Sequence, residues 1–124
     1  PFRWPTIFPM NAILPLRVML QLEGPDHAKA CRQIYVAYWG EGRDISDPGV
    51  LGEVLADAGL DAQSLLQGTQ NPVVKQMLFS NTEEALKRGA CGAPTFFVGD
   101  LMFWGQDRLD MVERALNGWR PQSG

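Results

Sequence analysis

Two short stretches near the end of the chain carry the residue types best suited to chemistry. In Gly92-Ala93-Pro94-Thr95-Phe96-Phe97-Val98 a proline stands directly before a run of β-forming residues. A proline there either terminates strand pairing or sits in a cis linkage, because it has no N–H to give to a ladder. A cis linkage would expose the backbone of Ala93, which could then pair with an extended, sulfur-bearing peptide as a short ladder. A purely structural proline at a strand start fits the same residues. The second stretch is Phe103-Trp104-Gly105-Gln106-Asp107-Arg108-Leu109-Asp110. Here a strand ends, a glycine permits close backbone approach, and a helix opens with an acidic residue. Open N–H groups at a helix start accept a carboxylate, while the Asp107 carboxylate accepts an ammonium. An amino-acid head group carries both charges. Asp107 reads equally as an N-cap, which stabilises a helix by ~1 kcal/mol without any ligand.

The remaining reactive residue types are sparse. Cys31 and Cys91 stand far apart and form no CxxC or metal-type spacing, so they read as small, partly buried free thiols. Reduced thiols and the lack of a targeting pattern suggest a cytoplasmic setting. The single histidine, His27, falls in a first helical turn and reads as a surface residue, which leaves no Cys–His or His-based metal site. Ser64 and Ser80 have no positioned base to make them nucleophiles. Trp4, Trp39 and Trp104 could line one aromatic cavity for a flat bicyclic substrate, although tryptophan packs more often in cores. Trp119 reads as a docking residue for the last helix, and Glu41, Arg43 and Asp44 as a solvated loop.

The elements that position these residues are mostly helical. Residues 1–13 hold three prolines, two Phe and one Trp without periodicity, an apolar lead-in that must lie against a core. Pro15 suits a helix first turn, with Leu16 to Leu22 following. Gly24-Pro25-Asp26 opens a helix to about Trp39, with Cys31, Ile34, Tyr35, Tyr38 and Trp39 on its apolar side. Asp47-Pro48 is an N-cap followed by proline, and Val50, Leu51, Val54, Leu55 and Ala58 form the next stripe. A short helix over 62–67 comes next. Asn71-Pro72 opens the longest helix, with Val74, Leu78, Ala85 and Leu86 on one face and Gly89 as its stop; Asn81 and Thr82 interrupt the stripe, but one helix is favoured. The pattern then switches. Thr95 to Val98 and Leu101 to Trp104 flank Gly99-Asp100 as a hairpin, and a last helix runs from about Asp107 to Leu116, with Leu109, Val112, Ala115 and Leu116 buried. A lone hairpin is marginal in water, so this one expects a neighbouring strand.

At 124 residues, 45% apolar and 20% charged, the chain is one domain's worth of ordinary globular material. The net charge of −3, with both signs interspersed, gives no footprint for nucleic acid. The stretch from Ile7 to Leu22 is broken by Pro9, Asn11, Pro15, Arg17 and Gln21 and does not read as a membrane span. A start at Pro1-Phe2-Arg3-Trp4-Pro5, without an initiator Met, reads as the middle of something longer.

The GxPTFFVGD and FxGQDRLDMVE stretches, preceded by YWGEGRDISDP and the lead-in Phe8-Pro9-Met10-Asn11, resemble the 2-hydroxychromene-2-carboxylate isomerase family. That family is related to kappa-class glutathione transferases and to DsbA-type thioredoxin folds. The resemblance covers nearly the whole chain. It implies a mainly α fold with one β-hairpin, the C-terminal part of a DsbA-like α/β thioredoxin fold with a helical insertion. The expected division is an irregular lead-in over 1–13, helical insertion over 14–89, and hairpin plus helix over 90–124. It also implies glutathione as cofactor, its cysteinyl part pairing with Ala93-Pro94 and its γ-glutamyl part meeting Gln106 and Asp107. Trp104, Trp39 and Asn11 would contact a small aromatic substrate, with a turn or cap role for Asn11 fitting equally. The expected catalytic Ser, which follows the family's first strand and stabilises the glutathione thiolate, has no counterpart in this sequence, so no catalytic residue is assigned within it. Two other functions fit: a DsbA-like thiol–disulfide oxidoreductase, which needs a CxxC, and a non-catalytic chain that assembles with a partner, since unpaired strand edges favour association. A homo-oligomer is expected on the same ground.

Overall fold

The computed structural model describes residues 2–121, which form two compact units, one up to Ser80 and one from Asn81 onward. In the first unit the chain enters as an irregular lead-in with bends and builds four helices, α1 (Ile13–Met19), α2 (Gly24–Tyr35), α3 (Pro48–Asp57) and α4 (Ala62–Gly68). The Asn11 side chain accepts from the Ile13 N–H at 3.0 Å, which starts α1 two residues before Pro15. α1 ends at Met19 rather than at Leu22. α2 continues into a wide π-turn over Val36–Gly40, closed by the Glu41 N–H donating to the Val36 carbonyl at 3.0 Å.

Asp47 caps α3 as its sequence position implies, accepting from the Val50 N–H at 2.9 Å. Asp61 caps α4 twice over, accepting from the Ser64 N–H at 3.1 Å and the Ser64 hydroxyl at 2.7 Å. Those two Ser64 contacts hold the Asp61 carboxyl below its ordinary value of 3.8. A carboxyl lowered in the folded state adds stability above its unfolded value and loses it as pH falls through the folded value. Asp61→Asn should therefore flatten the fall in stability on acidification below about pH 4, measured as the wild-type minus variant difference in urea midpoint; parallel curves would contradict this.

The core of the first unit gathers Val18, Ala30, Ile34, Ala37, Tyr38, Ile45, Leu51, Val54, Leu55 and Leu65. The lead-in is tied to it by the Tyr38 hydroxyl donating to the Ile7 carbonyl at 2.9 Å and the Arg3 N–H donating to the Trp39 carbonyl at 2.7 Å. Tyr35, expected on the apolar side of α2, is exposed, because the buried stripe runs through Ala30, Ile34, Ala37 and Tyr38. The loop over Glu41, Arg43 and Asp44, expected to be solvated, is fastened. Arg43 pairs with Glu53 at 2.6 Å, and Asp44 accepts from the Ser46 N–H at 3.0 Å and from its hydroxyl.

α5 (Pro72–Lys87) is one uninterrupted helix through Asn81 and Thr82. In the second unit β1 (Thr95–Val98) and β2 (Leu101–Trp104) pair antiparallel, with Thr95 opposite Trp104 and Val98 opposite Leu101. Gly99, at φ +60°, makes the turn. Arg88 braces it, donating to the Gly99 carbonyl at 2.6 Å while its guanidinium lies 3.9 Å from the Phe97 ring centre. A 3-10 turn over Gln106–Arg108 leads into α6 (Leu109–Leu116). Phe103 and Ala115 are buried, but Leu86, Leu109 and Leu116, expected on inward faces, are more than half exposed. Two strands offer too little surface to cover them all. Trp119 is half-buried, with the Arg114 guanidinium 5.6 Å from its ring. Cys91 is exposed, not partly buried as expected; Cys31 is half-buried, and both are free thiols. Among the described residues no helix is long and apolar enough to cross a membrane.

Candidate functional site

At the open end of the hairpin the Ala93–Pro94 bond is cis, and the Pro94 carbonyl accepts from the Gly105 N–H at 2.9 Å. This bond holds the entry to β1 against the exit from β2. The Thr95 hydroxyl donates to the Gly92 carbonyl at 2.5 Å, closing a small turn around Ala93 and Pro94. Both of those residues are exposed, and among the described residues no hydrogen bond engages the Ala93 backbone. The Trp104 indole lies against Gly92, where an added Cβ would sit 2.9 Å from its Nε1.

Gly105 has φ +105° and ψ 148°, a conformation that residues with a Cβ avoid, and an added Cβ would run into the Asp107 carboxylate. The glycine thus lets Asp107 fold back beside the strand end. The Arg108 N–H donates to the Gly105 carbonyl at 3.4 Å, while the Gln106 and Asp107 N–H groups have no partner among the described residues. Arg108 Nε stands 3.8 Å from Asp107 Oδ2, an exposed pair that contributes little to stability. Ala93, Trp104, Gly105, Gln106, Asp107 and Arg108 together line an open cleft of about 450 Å³, within the usual range for small-ligand sites. It offers unpaired backbone, free N–H donors, one carboxylate and one guanidinium. Gly105→Ala should destabilise this unit by ~1–3 kcal/mol through its backbone conformation alone; an unchanged denaturation midpoint would mean the turn relaxes around a side chain.

Of the expected site residues, Ala93, Gln106, Asp107 and Trp104 come together in this cleft and Pro94 adjoins it. Arg108 joins them unanticipated, although it lies within the same motif, three residues after Gly105. Trp39 and Asn11 belong to the first unit. Trp39 packs with Phe2, Trp4, Phe8 and Tyr38 at centroid distances of 4.7–6.4 Å, so Trp4 and Trp39 do share one aromatic cluster. It also borders an apolar pocket of about 200 Å³ with Met10, Leu16, Cys31 and Tyr35. Asn11 is spent in part on capping Ile13. Among the described residues no cluster of His, Cys, Asp or Glu could hold a metal ion.

A profile described as a DSBA-like thioredoxin domain matches residues 1–117. The chain belongs to the DsbA-like thioredoxin family. The second unit contains a cis-proline entry, a hairpin and a closing helix. Among relatives, 2-hydroxychromene-2-carboxylate isomerase of Sphingobium xenophagum is 38% identical over 98 residues, spanning 78% of this chain and 50% of that protein. Human glutathione S-transferase kappa 1 is 31% identical over 105 residues, spanning 78% of this chain and 46% of that one. The solved structure of a 2-hydroxychromene-2-carboxylate isomerase superposes with a TM-score of 0.80 at 26% identity, covering 94% of this chain and 57% of that chain. This DsbA-like chain spans about half the length of the curated relatives it matches.

Proposed function

We propose that this chain is part of a glutathione-dependent isomerase or transferase acting on small aromatic, hydroxychromene-carboxylate-like compounds. The observation that carries the reading is the cleft joining the unpaired Ala93 backbone to Gly105, Gln106 and Asp107. Glutathione fits this donor set. Its cysteinyl peptide group would lie antiparallel to Ala93 beside Pro94, as an added strand segment. Its γ-glutamyl carboxylate would meet the free N–H groups of Gln106 and Asp107, and its ammonium the Asp107 carboxylate. The names of the relatives, isomerases and kappa-class glutathione transferases, support the same cosubstrate class. When bound, glutathione supplies a thiol; these residues bind and orient the tripeptide, and none of them is assigned the task of activating its sulfur. Trp104, at the cleft wall, is the residue of this unit proposed to meet the aromatic substrate.

Isothermal titration of the protein with glutathione tests this. Saturable binding that S-methylation of the thiol leaves largely intact is expected, because the contacts are to the peptide and head group. Absence of heat from both compounds would remove the reading. A DsbA-like thiol–disulfide activity is the competing proposal, favoured by the family match itself. Its two cysteines, Cys31 and Cys91, form no CxxC pair, so an insulin-reduction assay on the protein is expected to show no turnover.

A further inference from the structure

The lead-in and the first two helices leave a pocket of about 200 Å³ between them, walled by Met10, Leu16, Met19, Cys31, Ile34 and Tyr38. It opens to solvent: Leu16 and Tyr35, which also lines it, are 47% and 62% exposed, and Cys31 is half-buried. Among the described residues no charged side chain lines it. The Tyr38 hydroxyl is already used, donating to the Ile7 carbonyl at 2.9 Å. The Leu16 N–H is likewise taken, donating to the Ala12 carbonyl at 3.1 Å. A trapped water needs about two to four polar partners, so these walls hold water poorly. An apolar cavity of roughly 150 Å³ already suffices to take up a benzene-sized molecule.

We infer that this pocket is a binding site for a small uncharged hydrocarbon with the bulk of a single ring. The thioethers of Met10 and Met19 and the Leu16 side chain supply adaptable apolar contact. Displacing loosely held water by such a group favours binding. A carboxylate would lose hydration there without gaining a partner, which the apolar contacts do not offset. The aromatic acids proposed as substrates are therefore the wrong ligands for this pocket, and the site does not rest on the glutathione reading.

Cyclohexane is the probe and cyclohexanecarboxylate its charged counterpart, each titrated into protein carrying 13C-methyl methionine. Met10 and Met19 line the pocket, whereas Met77, Met102 and Met111 do not. Cyclohexane should give saturable shifts at Met10 and Met19 alone, and cyclohexanecarboxylate at the same concentration should give none. Cyclohexane should also slow alkylation of Cys31 by iodoacetamide while leaving the exposed Cys91 as reactive as before. Ala12→Leu, at a lining position whose backbone (φ −83°, ψ 1°) accepts a leucine, should abolish the shifts by filling the space. Unmoved Met10 and Met19, equal shifts from cyclohexanecarboxylate, or shifts that persist in Ala12→Leu would each overturn the assignment. A Cys31 alkylation rate that falls as protein concentration rises, with no probe present, would assign the mouth of the pocket to a second copy and overturn it too. The wild-type comparison of the two probes decides the matter even if Ala12→Leu does not fold.

Discussion

Asp107→Ala is expected to weaken glutathione binding by ~1–3 kcal/mol, the loss of one charge-assisted contact to an exposed ammonium. The effect is specific because the backbone donors of the cleft do not depend on this side chain: Gly105 keeps its turn through the Pro94 carbonyl, 2.9 Å from its N–H. Asp107→Asn should recover part of the affinity, since an amide oxygen still accepts a hydrogen bond from the ammonium but lacks the charge. Titration calorimetry of wild type, Asp107→Ala and Asp107→Asn separates the two contributions. The Asp107–Arg108 pair is long at 3.8 Å and exposed, so losing it should leave the thermal midpoint almost unmoved. A full-strength complex with Asp107→Ala would take this residue out of the site.

Leu51→Ala should cost ~2–5 kcal/mol of stability, the range for truncating a fully buried leucine whose surroundings relax only partly. Leu51 and Leu55 are fully buried on α3, among the core side chains that hold the helical unit together. Gly52, the next residue, already sits close to Leu66, with an added Cβ placed 3.2 Å from a Leu66 methyl carbon, so that side of α3 is tightly packed. Urea unfolding followed by tryptophan fluorescence reads the change through Trp4 and Trp39, which lie in the same unit. A loss under ~1 kcal/mol would mean the site collapses around the missing methyl groups.

Local chemistry was the legible part of this sequence. The hairpin was read to the residue because Gly99-Asp100 lies between two β-forming runs, and strand and turn signals of this kind act over neighbouring positions. The cap at Asp47 behaves alike, reaching a backbone N–H three residues on; the cap at Asp61 was not anticipated. A side chain with two uses is legible only as a pair of alternatives. Asn11 starts α1 early by taking the Ile13 N–H, the turn role that its sequence position allows beside substrate contact. Non-local contacts were out of reach: Arg43 is fastened by Glu53 ten positions away, and the π-turn after α2 leaves no periodicity of its own. The exposure of Leu109 and Leu116 escaped for the opposite reason. Helical spacing says which side chains share a face, but not whether anything covers that face.

In the candidate site, Gly92-Ala93-Pro94-Thr95 and Gly105-Gln106-Asp107 were recognisable as separate turns with backbone to spare. Their meeting in one cleft depends on the hairpin register, which puts Thr95 opposite Trp104 and so brings the residues flanking both together. Arg108 was passed over because an arginine inside a helix start reads as surface charge.

The most direct measurement is a glutathione titration of the 15N-labelled protein, followed at each backbone amide. Saturable shifts concentrated at Ala93, Thr95, Gly105, Gln106 and Asp107 are expected. Shifts that leave those amides unmoved, or that gather elsewhere in the chain, would contradict a glutathione site in this cleft.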